Sequence, residues 1–141
     1  MKQKLKCVML IDDDEPTNFL SSIFIEEVSC SEHIEVAQSA KQALTYLSGS
    51  QMPDDKSIPY PDLIFLDINM PAMDGWEFIE HYKKLKKEYN EKVIIIILST
   101  SLNPDDILKA TRTPEIAGFE HKPLTPEKID GILKKYFENN F

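Results

Sequence analysis

Val93-Ile-Ile-Ile-Ile-Leu98 decides the fold. Five of its six residues are β-branched, and no polar residue interrupts the run. A strand with one wet face alternates apolar and polar residues, whereas a strand covered on both faces has no need to. The run therefore predicts an interior strand of a parallel sheet with helices on both sides. It is strand-sized, and far short of the about 20 apolar residues that cross a membrane.

The neighbouring segments fit that sheet. Upstream, Asp62–Asp67 predicts a strand, and Met70-Pro-Ala-Met-Asp74-Gly75 a turn. Asp74 can cap a helix running to about Tyr89, with Trp76, Ile79, Tyr82 and Leu85 spaced to face a core, and Gly75 serves the tight turn. Downstream, Asn103-Pro-Asp-Asp106 opens a short helix, with Asn at the cap, Pro at the first helical position and acids in the first turn. Ile116–Glu120 predicts a weaker strand, and Thr125-Pro126 caps a last helix reaching Tyr136 or Phe137.

Toward the N-terminus, Lys6–Ile11 and Ile34–Ala37 predict two more strands. Between them, Pro16 to about Val28 carries Phe19, Leu20, Ile23, Phe24 and Glu27 at helical spacing. Ser39 caps Ala40–Leu47, with Ala43, Leu44 and Leu47 on one face, and Gly49 ends it. Ser50–Pro61 is a long loop: three prolines, two aspartates and no periodicity. A strand followed by a helix thus recurs five times. The expected fold is α/β, a (βα)5 doubly wound, five-stranded parallel sheet of order 2-1-3-4-5. Ligands bind such sheets at the carboxyl ends of strands 1 and 3, where the winding reverses.

A chain of 141 residues fits one domain, residues 1–141 with a core from about 6 to 137, and no output domain is expected after the last helix. The net charge of -8 argues against nucleic acid or an anionic membrane as the main partner. The basic cluster Lys83-Lys84-Leu85-Lys86-Lys87 reads as the solvated face of a helix. Cys7, inside an apolar strand, reads as a small hydrophobe, and neither it nor Cys30 belongs to a CxxC pair. Met1–Lys6 lacks the apolar core of a signal peptide, so a reducing cytoplasmic setting is the default expectation.

The chemistry lies at strand ends. Asp12 and Asp13 close the first strand, Asp67 closes the third, and Lys122 follows the fifth. Gathered carboxylates repel one another and call for a counter-cation. Oxygen ligands alone suit Mg²⁺ or Mn²⁺ rather than zinc. Asp12-Asp-Asp-Glu15 taken alone would be an ordinary solvated loop capping a helix; the matching Asp67 on the adjacent strand lifts it above that.

These residues resemble the receiver domains of two-component response regulators, a flavodoxin-like, CheY-like fold. The resemblance runs from about Lys6 to Phe137. It rests on Leu10-Ile-Asp-Asp-Asp14, on Pro61-Asp-Leu-Ile-Phe-Leu-Asp67-Ile-Asn-Met-Pro71 with Met73-Asp-Gly75, on Ile97-Leu-Ser99, and on Gly118-Phe-Glu-His-Lys122-Pro123. It implies that Asp67 accepts a phosphoryl group from a histidine kinase or a phosphotransfer protein. It implies a metal held directly by Asp13, through water by Asp12, and also by Asp67 and the backbone carbonyl of Asn69. It assigns Ser99 and Lys122 to phosphoryl contact, with Thr100 the rival hydroxyl and Ser101 placed to admit or exclude water. Phe119 matches an aromatic switch position; plain core is the alternative. Lys122-Pro123 matches a Lys-Pro with a cis bond. Output would leave through the helix at Asn103, the strand at Ile116 and the last helix, toward a downstream protein or a second copy, so a monomer or a phosphorylation-dependent dimer is expected. The chain would catalyse only its own phosphorylation and dephosphorylation. The Ser50–Pro61 insertion resembles stand-alone receivers serving phytochrome-type kinases.

Three other readings compete. A flavodoxin-like electron carrier shares the strand order, but Asp12-Asp-Asp-Glu-Pro16 would repel a flavin phosphate. A hydrolase of the haloacid-dehalogenase type wants a second acid two residues after the nucleophile, where this chain has Asn69. A receiver-like scaffold that is never phosphorylated would not need the full set of site residues.

Overall fold

The structure, a computed structural model, describes residues 4–49, 58–85 and 92–138. Five strands alternate with five helices among them: β1 (Val8–Ile11), α1 (Glu15–Val28), β2 (Ile34–Ala37), α2 (Ala40–Gly49), β3 (Leu63–Leu66), α3 (Gly75–Tyr82), β4 (Ile94–Ser99), α4 (Pro104–Arg112), β5 (Ile116–His121) and α5 (Pro126–Tyr136). The strands pair in parallel in the order β2-β1-β3-β4-β5. This is the doubly wound order expected from the sequence, with its reversal between β1 and β3.

Strand parity splits the core in two. Met9, Ile11, Ile95 and Ile97 join the apolar face of α2 and α3. Val8, Leu10, Ile96 and Leu98 join Ile25 of α1 and Ile129, Ile132 and Leu133 of α5. Every residue of β1 and β3 is buried, and so is β4 after Ile94. Burial on both faces is what the unbroken isoleucine run required. Cys7 is fully buried, and that burial pushes its thiol up to about 12, so it serves as a small hydrophobe.

The element ends correct the sequence reading in several places. β1 begins at Val8 rather than Lys6, after a single bridge from Leu5 to Ser31. β4 extends through Ser99 because β5 continues opposite it: Ser99 pairs with His121. β5 runs correspondingly one residue past Glu120. α3 ends at Tyr82, well before Tyr89, where Lys84 and Leu85 donate to carbonyls three residues back and tighten the final turn. Residues 86–91 and the 50–57 part of the expected loop lie outside the described residues.

α1 departs from expectation in its facing. Phe19, Leu20 and Ile23 are exposed, Phe19 by 69%, while Phe24 of the expected stripe packs against the core and Asn18, Ser21 and Ile25 turn inward. The caps agree with the sequence: Asp74 and Glu77 form a reciprocal capping box on α3, Asn103 caps α4, and Thr125 caps α5. Ser39 accepts from the Gln42 amide at 3.0 Å and opens α2.

Candidate metal and phosphoryl site

The carboxyl ends of β1 and β3 lie side by side, since Ile11 pairs with Leu66. Each strand's next residue is an aspartate, so Asp12 and Asp67 emerge as neighbours. Carboxylate oxygens of Asp12, Asp13 and Asp67 all come within 4.8 Å of one another. Asp12 and Asp67 are buried and Asp13 is exposed, so the cluster opens on one side. Three convergent carboxylates offer the hard oxygen donors that Mg²⁺ or Mn²⁺ takes, and no sulfur or imidazole is among them.

Lys122 completes the arrangement. Its Nζ lies 2.6 Å from Asp12 Oδ2 and 3.7 Å from Asp67 Oδ1, and its side chain is largely buried. The backbone places it there. Lys122 N donates to the Ser99 carbonyl at 2.9 Å, extending the β4–β5 ladder by one bond, and the following Lys122-Pro123 peptide is cis.

Asp67 is under electrostatic stress. Burial first, and the Asp12 charge second, push its carboxyl up to about 6, against the opposing pull of the Lys122 ammonium and the Asn69 amide. The Asn69 amide lies 3.3 Å from Asp67 Oδ1. A divalent cation would remove the stress that burial and Asp12 create, so the donor set and its electrostatics fit such an ion.

Ser99 is fully buried at the end of β4, and its Oγ accepts from the Ser101 amide at 3.0 Å. Thr100 is exposed and Ser101 half-buried. Phe119 is half-buried against the α2–α3 side of the core, with its ring edge-on to His121 at 5.4 Å. The Trp76 ring lies in a groove between α3 and α4, where Lys109 Nζ sits 4.7 Å from its centroid.

Three features escaped the sequence reading. Asn18, buried on the inner face of α1, donates to the Asp12 carbonyl at 2.8 Å and holds the β1 exit. Gly75 has no positive φ; its role is space rather than a turn. A Cβ there would stand 2.8 Å from the Asp67 carbonyl oxygen and 2.8 Å from Ile68 Cα, so only glycine lets α3 start against the chain leaving β3. Asp106 accepts the Ser101 hydroxyl at 2.5 Å, tying the loop after β4 to α4.

The chain matches the response regulator receiver domain family over residues 8–134. It belongs to that family. The probable C4-dicarboxylate response regulator DctR of Halalkalibacterium halodurans is 28% identical over 137 residues, 97% of this chain and 54% of that protein. The receiver thus spans about half the length of that relative. A two-component response regulator from Cytophaga hutchinsonii has the same fold at a TM-score of 0.86 and 32% identity, covering 96% of this chain and 99% of the other. The bacteriophytochrome response regulator AtBRR superposes with a TM-score of 0.73 over 98% of this chain and 95% of its own; at 20% identity it speaks to the fold alone. Receivers are signalling modules of two-component systems rather than enzymes with an external substrate. They accept phosphoryl groups from histidine kinases, typically on an aspartate, and bind Mg²⁺ at an acidic pocket. No helix among the described residues is long and apolar enough to cross a membrane.

Proposed function

We propose that Asp67 is the phosphoryl acceptor, supplied by a histidine kinase or a histidine phosphotransfer protein, and that the reaction depends on Mg²⁺ or Mn²⁺. The observation that carries this reading is the convergence of Asp12, Asp13 and Asp67 within 4.8 Å, with the Lys122 ammonium against two of them. Asp13 and Asp67 would hold the ion directly, Asp12 through water, and the Asn69 carbonyl would add a ligand. When bound, the ion neutralises the charge that accumulates on the equatorial oxygens of a phosphoryl group in transfer.

An Asp67 carboxylate oxygen forms the new bond to phosphorus as the bond from phosphorus to the donor atom breaks, leaving an acyl phosphate and the dephosphorylated donor. Asp67 must be ionised to do this, and with its carboxyl pushed up to about 6 it is mostly so at pH 7. The Lys122 ammonium pairs with one phosphoryl oxygen as a mobile point charge, and the buried Ser99 hydroxyl donates to another. Thr100, exposed, is the weaker candidate for that hydroxyl. Loss of the phosphoryl group is left to water, admitted past Asn69 and Ser101, neither of which is a strong base.

Output follows by population shift between two arrangements of the loop after β4, α4 and β5, with Phe119 exchanging positions. The surface of α4, β5 and α5 is the proposed partner face; Ile107 and Leu108 are exposed apolar groups on α4, and Leu102 is exposed on the loop just before it. A net charge of -8 speaks against a nucleic-acid partner. Incubation with acetyl phosphate and Mg²⁺, read by intact mass, tests the core of the reading. One phosphoryl group on the wild type, alkali-labile and absent from Asp67→Asn, is the expected result. An unlabelled wild type, or label that persists undiminished in the variant, overturns it.

A further inference from the structure

Ser101 is bonded in two directions at once. Its backbone amide donates to the Ser99 hydroxyl oxygen at 3.0 Å, and its own hydroxyl donates to Asp106 Oδ2 at 2.5 Å while accepting from the Asn103 amide at 3.2 Å. Ser99 and the first turn of α4 are therefore linked through a single residue. Capping does not explain the link. Asn103 already caps α4 by accepting from the Asp105 amide at 3.0 Å, Pro104 occupies the first turn, and the Asp106 amide is itself satisfied by the Asn103 carbonyl at 3.1 Å. The Ser101–Asp106 bond is surplus to that helix end, and hydrogen bonds to an ionised carboxylate are among the stronger ones.

We propose that Asp106 is a positioning residue: through Ser101 it latches the Ser99 hydroxyl in the resting arrangement, and release of the latch frees that hydroxyl to turn toward a phosphoryl group on Asp67. The inference rests on the role proposed above for Ser99. A hydroxyl that accepts from the Ser101 amide keeps its own proton to donate, but its direction is set by where Ser101 stands. Carrying Ser99 toward Asp67 moves Ser101, and Ser101 cannot move far while its hydroxyl is held by Asp106. The same movement carries Leu102, 85% exposed and adjacent in the chain, so the latch ties the chemistry of the site to an apolar group on the outer surface. It acts as a bias between two arrangements, and its removal favours the engaged one.

The test compares full-length wild type with Asp106→Ala, Ser101→Ala and Asp106→Asn. The first readout is amide exchange of the segment 99–106 in the unphosphorylated protein. Asp106→Ala and Ser101→Ala should speed exchange at Asn103 by about tenfold, and Asp106→Ala should do so at Ser101 as well, the loss expected for one charge-assisted hydrogen bond. The second readout is the labelling rate with acetyl phosphate and Mg²⁺, which should rise severalfold in both alanine variants. Asp106→Asn, whose amide oxygen still accepts from Ser101, should return both readouts toward wild type. A residue that merely supported the fold would slow labelling when lost. Unchanged exchange in Asp106→Ala, or labelling slower than wild type, overturns the latch. The exchange readout needs no phosphoryl chemistry, so unchanged exchange overturns the latch even where Asp67 takes no label, whereas a wild type that takes no label overturns the proposed function first and the latch's purpose with it.

Discussion

Replacing Asp67 by asparagine should make the metal-free protein more stable, not less. The folded state raises the Asp67 carboxyl from 3.8 to about 6, chiefly by burial and then by the Asp12 charge. Below pH 3.8 the group is protonated in both folded and unfolded chains and has no effect on their balance. Between 3.8 and 6 the folded protein holds a proton that the unfolded chain releases, so stability falls as pH rises. Above about 6 the loss is complete and amounts to about 3 kcal/mol, from 1.36 kcal/mol per pH unit over the interval from 3.8 to about 6. Asp67→Asn removes that ionisation while keeping the shape of the side chain. In EDTA at pH 8 the variant should exceed wild type by up to about 3 kcal/mol, on the order of 10 °C in Tm for a domain of this size. At pH 4 the two should converge. Adding Mg²⁺ at pH 8 should raise the Tm of wild type more than that of the variant, because an ion that binds only the folded state stabilises it by mass action. Thermal melts at pH 4, 6 and 8, with EDTA or Mg²⁺, read all of this. A metal-free wild type more stable than Asp67→Asn at pH 8, or a gap that stays constant down to pH 4, would refute the reasoning.

Gly75→Ala should destabilise by about 1–3 kcal/mol in a denaturant titration and slow labelling of Asp67, since its Cβ would meet backbone on the chain that leaves β3. Lys122→Ala should cost about 3 kcal/mol in metal-free buffer, because it strips a buried acid pair of its counter-charge, and Mg²⁺ should restore much of the loss. The same variant should abolish the change in amide exchange of α4 and β5 that beryllofluoride produces in wild type; a full wild-type response would sever Lys122 from the switch. Trp76 fluorescence should change on adding beryllofluoride with Mg²⁺, reporting α4 through Lys109, and Lys109→Ala should remove most of that signal.

The fold was legible because each strand and helix carries its own period, and a five-fold βα alternation leaves few topologies open. Its boundaries were less so, because a strand ends where its partner ends. Ser99 looks like the residue after an apolar run, yet His121 stands opposite it and keeps it in the sheet. Asp12, Asp13, Asp67 and Lys122 were legible for a related reason: they follow apolar runs directly, so a parallel sheet must deliver them to one edge. Asn18 and the Ser101–Asp106 bond had no such signal. Finding them requires the rotation of a helix about its axis and the path of a loop, neither of which strand ends fix. Gly75 was visible as a glycine, but its need is a close approach to the Asp67 carbonyl rather than an unusual φ.

α1 shows why apolar spacing misled at that one helix. Phe19, Leu20 and Ile23 fall at helical intervals, and on most helices such a stripe faces the core. The first turns of α1, however, lie over the carboxyl edge of the sheet, where Asp12 and Asp67 join Leu10, Ile11, Phe65 and Leu98 beneath Thr17, Asn18 and Ser21. Apolar side chains there would leave the Asp12 carbonyl without a donor in a buried place, and an unsatisfied buried carbonyl costs about 1–3 kcal/mol. Asn18 supplies that donor at 2.8 Å, Ser21 follows one turn on, and further along Phe24, Ile25 and Val28 turn apolar groups to the α5 side of the core. The spacing Asn18, Ser21, Ile25 is itself a helical face, three and then four residues apart. Its chemistry changes along the helix as the sheet beneath changes from charged edge to apolar body. Phe19, Leu20 and Ile23 stand on the exposed outside of the helix, where they add little to folding. The inward Asn18 is therefore a consequence of placing the start of a helix over the buried Asp12 carbonyl.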